Sequence, residues 1–102
     1  MTDPVTISRQ FIKSVSQAGI PVSAAYLYGS YAKGNAKPFS DIDICVISPS
    51  LGKDMIDEMV KLRQISRKID DRIEALPFGT EDINNPYDPL AAEIRRFGQL
   101  II

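Results

Sequence analysis

Residues 40–47 read Ser-Asp-Ile-Asp-Ile-Cys-Val-Ile. A run this rich in β-branched and apolar side chains is a strand, and it restricts the fold more than any other stretch. Residues two apart on a strand project to the same face. Asp41 and Asp43 therefore share a side with Cys45 and Ile47, while Ile42, Ile44 and Val46 line the other. Two carboxylates stand side by side where a sheet would ordinarily carry Val or Thr, and that placement needs a reason.

The flanking sequence supplies the partners of this strand. Thr2 or Asp3 can cap a first helix that has Pro4 in its first turn. Val5, Phe11, Ile12, Val15 and Ala18 recur along it at helical spacing until Gly19 stops it. "VSAAYLYG" is short and apolar and ends at a glycine, which predicts a buried strand over 22–28. Gly29 and Ser30 turn the chain into a short helix around 30–34, and "GNAKPF" is a loop. From about Lys53 to Ile69, Met55, Ile56, Met59, Val60, Leu62, Ile65 and Ile69 form an apolar helical stripe. Its acids Asp54, Asp57 and Glu58 lie early and its bases Lys61, Arg63, Arg67 and Lys68 late, as the helix dipole favours. "DRIEALPF" predicts a third strand near 72–77. "DPLAAEIRRFGQLII" predicts a last helix with Leu90, Ile94, Phe97 and Ile101 on one face. The order of elements is that of one small mixed α/β domain over residues 1–102, with helices flanking a mixed β-sheet.

Composition narrows the chemistry. A chain of 102 residues, 44% hydrophobic and 25% charged, fits one modest core, and a formal charge of −1 leaves no broad basic surface for nucleic acid or an anionic membrane. Neither a membrane span nor a secretory leader is visible, so a cytoplasmic protein without stable nucleic acid binding is expected. The single cysteine, Cys45, and the complete lack of histidine remove Cys/His zinc sites and Ser-His triads. Any catalysis must run on carboxylates.

The third strand offers one more acid. Ile73 and Ala75 face one way and Arg72, Glu74 and Leu76 the other. If the two strands pair at about 4.8 Å, Glu74 comes within side-chain reach of Asp41 and Asp43. Carboxylates ~5 Å apart at an effective dielectric of ~20 repel by roughly 3 kcal/mol per pair, so they spread, take up protons or bind cations. An all-oxygen donor set suits Mg²⁺, which prefers a couple of carboxylates together with substrate phosphates. Gly29 lets the main chain approach closely, and Ser30 offers a hydroxyl and nearby N–H groups to an anion. A metal site beside a phosphate cradle implies a metal–nucleotide.

Gly29-Ser30, ten intervening residues and then Asp41-Ile42-Asp43 resemble the nucleotidyltransferase signature of the polymerase-β superfamily. More narrowly, "GSYAKGNAKPFSDID" is similar to the minimal nucleotidyltransferases, the antitoxins paired with HEPN ribonuclease toxins. Glu74 stands where that superfamily places its third carboxylate, and Lys33 where many relatives carry arginine. The resemblance implies a polymerase-β-like fold and catalysis by Asp41, Asp43 and Glu74 around two Mg²⁺ ions, with Gly29 and Ser30 gripping the phosphates of ATP. It implies transfer of AMP to a hydroxyl, a tyrosine of a HEPN toxin held in a hetero-oligomer. Two alternatives remain open: an antitoxin that neutralises by binding alone, and a small-molecule transferase of the aminoglycoside-modifying kind.

Other side chains have plainer readings beside functional ones. Cys45 is a small buried hydrophobe rather than a nucleophile. Tyr26, Tyr28 and Tyr31 suit the core as well as a base-stacking role. Lys33 suits either a phosphate or open solvent. Leu100, Ile101 and Ile102 cannot all point inward from one helix, which leaves an interface open.

Overall fold

The computed structural model describes residues 3–102. Its elements are α1 (Pro4–Gln17), β1 (Ala24–Tyr28), α2 (Ser30–Lys33), β2 (Ile42–Ile47), α3 (Met55–Ser66), β3 (Ile73–Phe78), a 3₁₀ turn (Asp82–Asn84), α4 (Pro89–Phe97) and β4 (Gln99–Leu100). The strands form one sheet in the order β3-β2-β1-β4 among the described residues. β1 runs antiparallel to β2 and to β4, and β2 runs parallel to β3. The parallel pair needs a crossover, which α3 provides.

Strand alternation divides the core. Ala25, Leu27, Ile42, Ile44, Val46 and Ile73 pack on one face against Ile7, Phe11, Ile12 and Val15 of α1 and Leu62 of α3. On the other face Cys45, Ile47 and Phe78 meet Ala91 and Ile94 of α4, with Tyr26, Tyr28 and Leu76 beside them. Because helices cover both faces, β2 tolerates a nearly unbroken apolar run. Each fully buried Phe, Leu or Ile contributes about 1.5–3 kcal/mol.

The helix starts follow capping chemistry. Asp3 accepts from the Val5 N–H at 3.2 Å and Asp88 from the Leu90 N–H at 2.9 Å. Thr2, the other candidate for the first cap, lies outside the described residues. At α3, Glu58 reaches back to accept from the N–H groups of Gly52 at 2.8 Å and of Lys53 and Asp54 at 3.1 Å. Burial pushes the Glu58 carboxyl up, but the three N–H donors outweigh it and hold the group below its ordinary range.

Two expectations need correction. The last helix does not run to the end of the sequence. It stops at Phe97, the Gly98 N–H bonds to the Ile94 carbonyl at 2.8 Å, and the chain returns as β4 beside β1. Only glycine fits at 98, because a Cβ there would run into the Ile94 carbonyl oxygen. Ile101 is therefore buried from a strand-like segment rather than from the helix, while Leu100 and Ile102 on either side of it are more than half exposed. The second correction concerns α3, which is shorter than its apolar stripe and buries only part of it. Leu62 is fully covered, whereas Met55, Ile56, Met59 and Val60 are 44%, 77%, 43% and 53% exposed.

Candidate active site

β2 is flanked on both sides, and its register sets the site. Asp43 stands opposite Tyr28 of β1 and opposite Glu74 of β3, and registered partners project from the same side of a sheet. All three belong to the face covered by α4. Asp41 lies one residue ahead of β2. Its backbone is fixed by the adjoining rung, in which the Ile42 N–H donates to the Arg72 carbonyl at 2.8 Å.

The turn after β1 is shaped around Asp43. Gly29 adopts φ 72° and ψ −147°, a region that is essentially glycine's alone. A Cβ at that position would fall on the Asp43 carboxylate. The main chain of the glycine turn and the acid therefore touch, and no larger residue keeps them together. From there the chain enters α2, whose first N–H groups have no internal helical partner, with the Ser30 hydroxyl beside them.

The loop before Asp41 is tied down from below. Arg72 forms a two-pronged pair with Asp70, Nε to Oδ1 at 3.1 Å and Nη2 to Oδ2 at 3.0 Å, and its Nη1 donates to the Tyr31 hydroxyl and the Pro38 carbonyl at 3.4 Å each. The Lys37 N–H donates to the Ser40 hydroxyl at 2.8 Å. Tyr31 packs against the α1-side core and binds Arg72, so it belongs to the scaffold of this loop.

Electrostatics mark Asp43 as the central group. Burial, then the neighbouring Asp41, Glu74 and Glu93, push its pKa up to about 6. Burial likewise raises the Tyr28 hydroxyl well above its ordinary value, with Asp43 the next cause. Cys45 lies fully buried beneath, its thiol pushed up to about 12 by burial first, as a packing residue and not a nucleophile would have it. Glu93 of α4 is the acid that linear sequence did not flag. It pairs with Lys33 of α2 at 3.0 Å and is one of the charges that act on Asp43. Its only sequence signal was a polar position on an amphipathic helix.

Glu74 shares the face of Asp43, but its side chain is 54% exposed at the sheet edge and stands 3.9 Å from Arg63 Nη1. Among the described residues, no three carboxylate or thiol side chains converge closely enough to form a ready metal cage. The backbone brings Asp43 and Glu74 together as neighbours; the side chains do not meet at one point. The donor chemistry still suits a hard divalent ion: every candidate ligand is oxygen, and Asp43, raised first by burial and then by the neighbouring carboxylates, carries a repulsive part that a cation would relieve.

Residues 8–95 match the family model described as "Nucleotidyltransferase domain". A Methanocaldococcus jannaschii protein described as "Putative protein adenylyltransferase" is 39% identical over 57 residues, which is 55% of this chain and 39% of that protein. The chain thus spans about two fifths of that relative's length. Among solved structures, a toxin-antitoxin complex with AMP-PNP superposes with a TM-score of 0.67 at 22% identity, covering 93% of this chain and 72% of that one. A MntA-HpeT toxin-antitoxin variant, in which two aspartates are replaced by glutamate, gives 0.67 at 18% identity over the same shares. A Sulfolobus solfataricus protein, described as a "putative nucleotidyltransferase", gives 0.66 at 15% identity, covering 94% and 77%. The structural likenesses establish the fold, and with the match over most of its length the chain belongs to the nucleotidyltransferase domain family.

Proposed function

We propose that the chain transfers AMP from Mg·ATP to a hydroxyl of a partner protein, and that the partner is a HEPN-type toxin modified on a tyrosine and thereby silenced. The observation that carries this reading is the contact between the glycine turn at Gly29 and the Asp43 carboxylate, with Glu74 in register beside it. A triphosphate cradle and the metal ligands then lie next to each other. The relative described as a protein adenylyltransferase and the toxin-antitoxin neighbour that holds AMP-PNP support the nucleotide and the kind of partner.

In this account Asp41, Asp43 and Glu74 are the ligands of Mg²⁺, which when bound neutralises phosphate charge and polarises the α-phosphate. The Gly29 main chain and the Ser30 hydroxyl hold the β and γ phosphates and orient the α-phosphate for in-line attack. The acceptor oxygen forms its bond to the α-phosphorus as the bridge to the β-phosphate breaks and pyrophosphate leaves. Glu74 takes the acceptor proton. No histidine competes for that role, and an exposed edge carboxylate is reachable by a side chain of another protein. Among the described residues no helix is long and apolar enough to cross a membrane, which suits a cytoplasmic setting.

The test is to incubate the chain with its co-purifying partner, Mg²⁺ and ATP and to weigh the partner by mass spectrometry. The reading requires a gain of whole AMP units, lost in Asp43→Asn. A partner that is inhibited but unchanged in mass would replace transfer with neutralisation by binding.

A further inference from the structure

Hydrogen bonding along β3 is one-sided. The Arg72 carbonyl accepts from Ile42 and the Phe78 carbonyl from Ser48, which turns the even-numbered peptide groups of β3 toward β2. Those of Ile73, Ala75 and Pro77 then point away from the sheet, where no strand among the described residues pairs with them. Most of these outward groups are already used. The Ile73 N–H donates to the Asp70 carbonyl at 3.3 Å, the Ile73 carbonyl accepts from Arg63 Nη1 at 3.5 Å, and Pro77 has no N–H. Ala75 alone keeps both an outward donor and an outward acceptor.

Beside this edge runs a groove of about 490 Å³ between α3 and β3. Its α3 wall carries Met59 and Val60, 43% and 53% exposed, together with Arg63 and Arg67, and Glu74 stands on its β3 side. An unpaired edge, an apolar wall and two cations thus meet at the carboxylate assigned above to take the acceptor proton.

We infer that this groove is the docking site for the acceptor protein, which enters as an extended segment, adds a strand to the free edge of β3 through the Ala75 peptide groups, and presents its hydroxyl residue to Glu74. The assignment of Glu74 rests on the function proposed above; the docking surface stands on the edge and the groove. Strand alternation gives the segment a pattern. The hydroxyl residue faces the Glu74 side, and its neighbours one position away face α3, where Met59 and Val60 take an apolar side chain and Arg63 and Arg67 an acidic one. An acid that drew Arg63 to itself would also release Glu74 from its 3.9 Å partner.

The experiment titrates ¹⁵N-labelled chain, without nucleotide or metal, with the peptide Ac-Glu-Thr-Val-Tyr-Glu-Thr-NH₂ and with its counterpart bearing Lys at both Glu positions. The inference requires that the acidic peptide shift the Ala75 amide and slow its exchange with solvent, that the Lys peptide bind at least tenfold more weakly, and that Arg67→Glu reverse the preference. Arg67 is exposed, so that variant folds, and unmoved Gly29 and Ser30 amides confirm it. Shifts absent from Ala75, or equal for both peptides, overturn the inference. A concentration-dependent dimer that protects Ala75 without peptide overturns it as well and gives the edge to a second copy of the chain. Adding Mg·ATP afterwards separates the two proposals: a docked peptide that gains no AMP counts against transfer and leaves docking in place.

Discussion

Gly29 leaves empty the space that a Cβ would occupy, and the Asp43 carboxylate fills it. The turn and the acid are one unit, so a change in either is felt in both. Gly29→Ala is expected to destabilise the protein by about 1–3 kcal/mol, because φ 72° strains any L side chain and the new methyl must displace Asp43. Urea unfolding measures the loss, and nucleotide binding should fall with it. A Gly29→Ala variant as stable as the parent would show that the turn relaxes without moving the acid.

Stability should depend on pH through Asp43 with an unusual sign. Its carboxyl titrates near 6 in the folded chain against an ordinary value of 3.8. The folded state therefore keeps a proton that the unfolded state has lost, and this group's contribution to stability declines as pH rises from about 4 to about 6. A shift of that size would be worth ~3 kcal/mol at a dry site, and solvent screening at this half-open one reduces it to about 1 kcal/mol. In metal-free buffer, Asp43→Asn should therefore be more stable than the parent above pH 6 and lose that part of the pH dependence. Denaturant midpoints at pH 4.5 and 7.5 decide it, and an unaltered difference between the two midpoints contradicts it.

Glu58 runs the other way. Held below its ordinary range by the N–H donors ahead of α3, it contributes stability above pH ~4.5 that is lost as pH falls through its lowered folded value. Glu58→Gln keeps the shape but replaces charge-assisted bonds with neutral ones, at a cost of about 1–2 kcal/mol. Thermal melts from pH 7 downward measure this: the variant should melt lower at pH 7, and the gap to the parent should narrow as the pH falls below 4.5.

Arg72 anchors the loop that delivers Asp41. Arg72→Lys retains the charge but cannot keep the fork to Asp70 and the reach to Tyr31 and Pro38 together. About 1 kcal/mol of stability should go, and nucleotide affinity should fall while the β2 amides keep their exchange protection. Equal losses of protection in the loop and in β2 would point to general unfolding instead.

Local signals in the sequence reached most of this architecture. Periodicity located α1, β1, β2 and β3, and the same-face rule together with strand pairing placed Glu74 beside Asp43, as the register bears out. Features fixed by tertiary contact escaped it. The turn at Gly98 depends on the Ile94 carbonyl one helical turn back, and apolar residues that continue a helical stripe on paper alternate as a strand once β1 is alongside. How much of the α3 stripe is covered was not legible, because period alone cannot tell a covered face from an open one. Glu93 was missed because it reaches the site from α4, 50 residues along the chain from Asp43. The lean of Glu74 toward Arg63 depends on a free sheet edge that no strand assignment discloses.

The account rests on Asp41, Asp43 and Glu74 sharing a divalent ion next to the turn at Gly29 and Ser30. Paramagnetic Mn²⁺, added with a non-hydrolysable ATP analogue to the ¹⁵N-labelled chain, reports on that directly. The account predicts selective broadening of the amides of residues 29–31, 41–43 and 74, abolished in Asp43→Asn. Broadening centred elsewhere, for instance on Asp54 and Asp57 of α3, or a Glu74 amide untouched while residues 41–43 broaden, would contradict it.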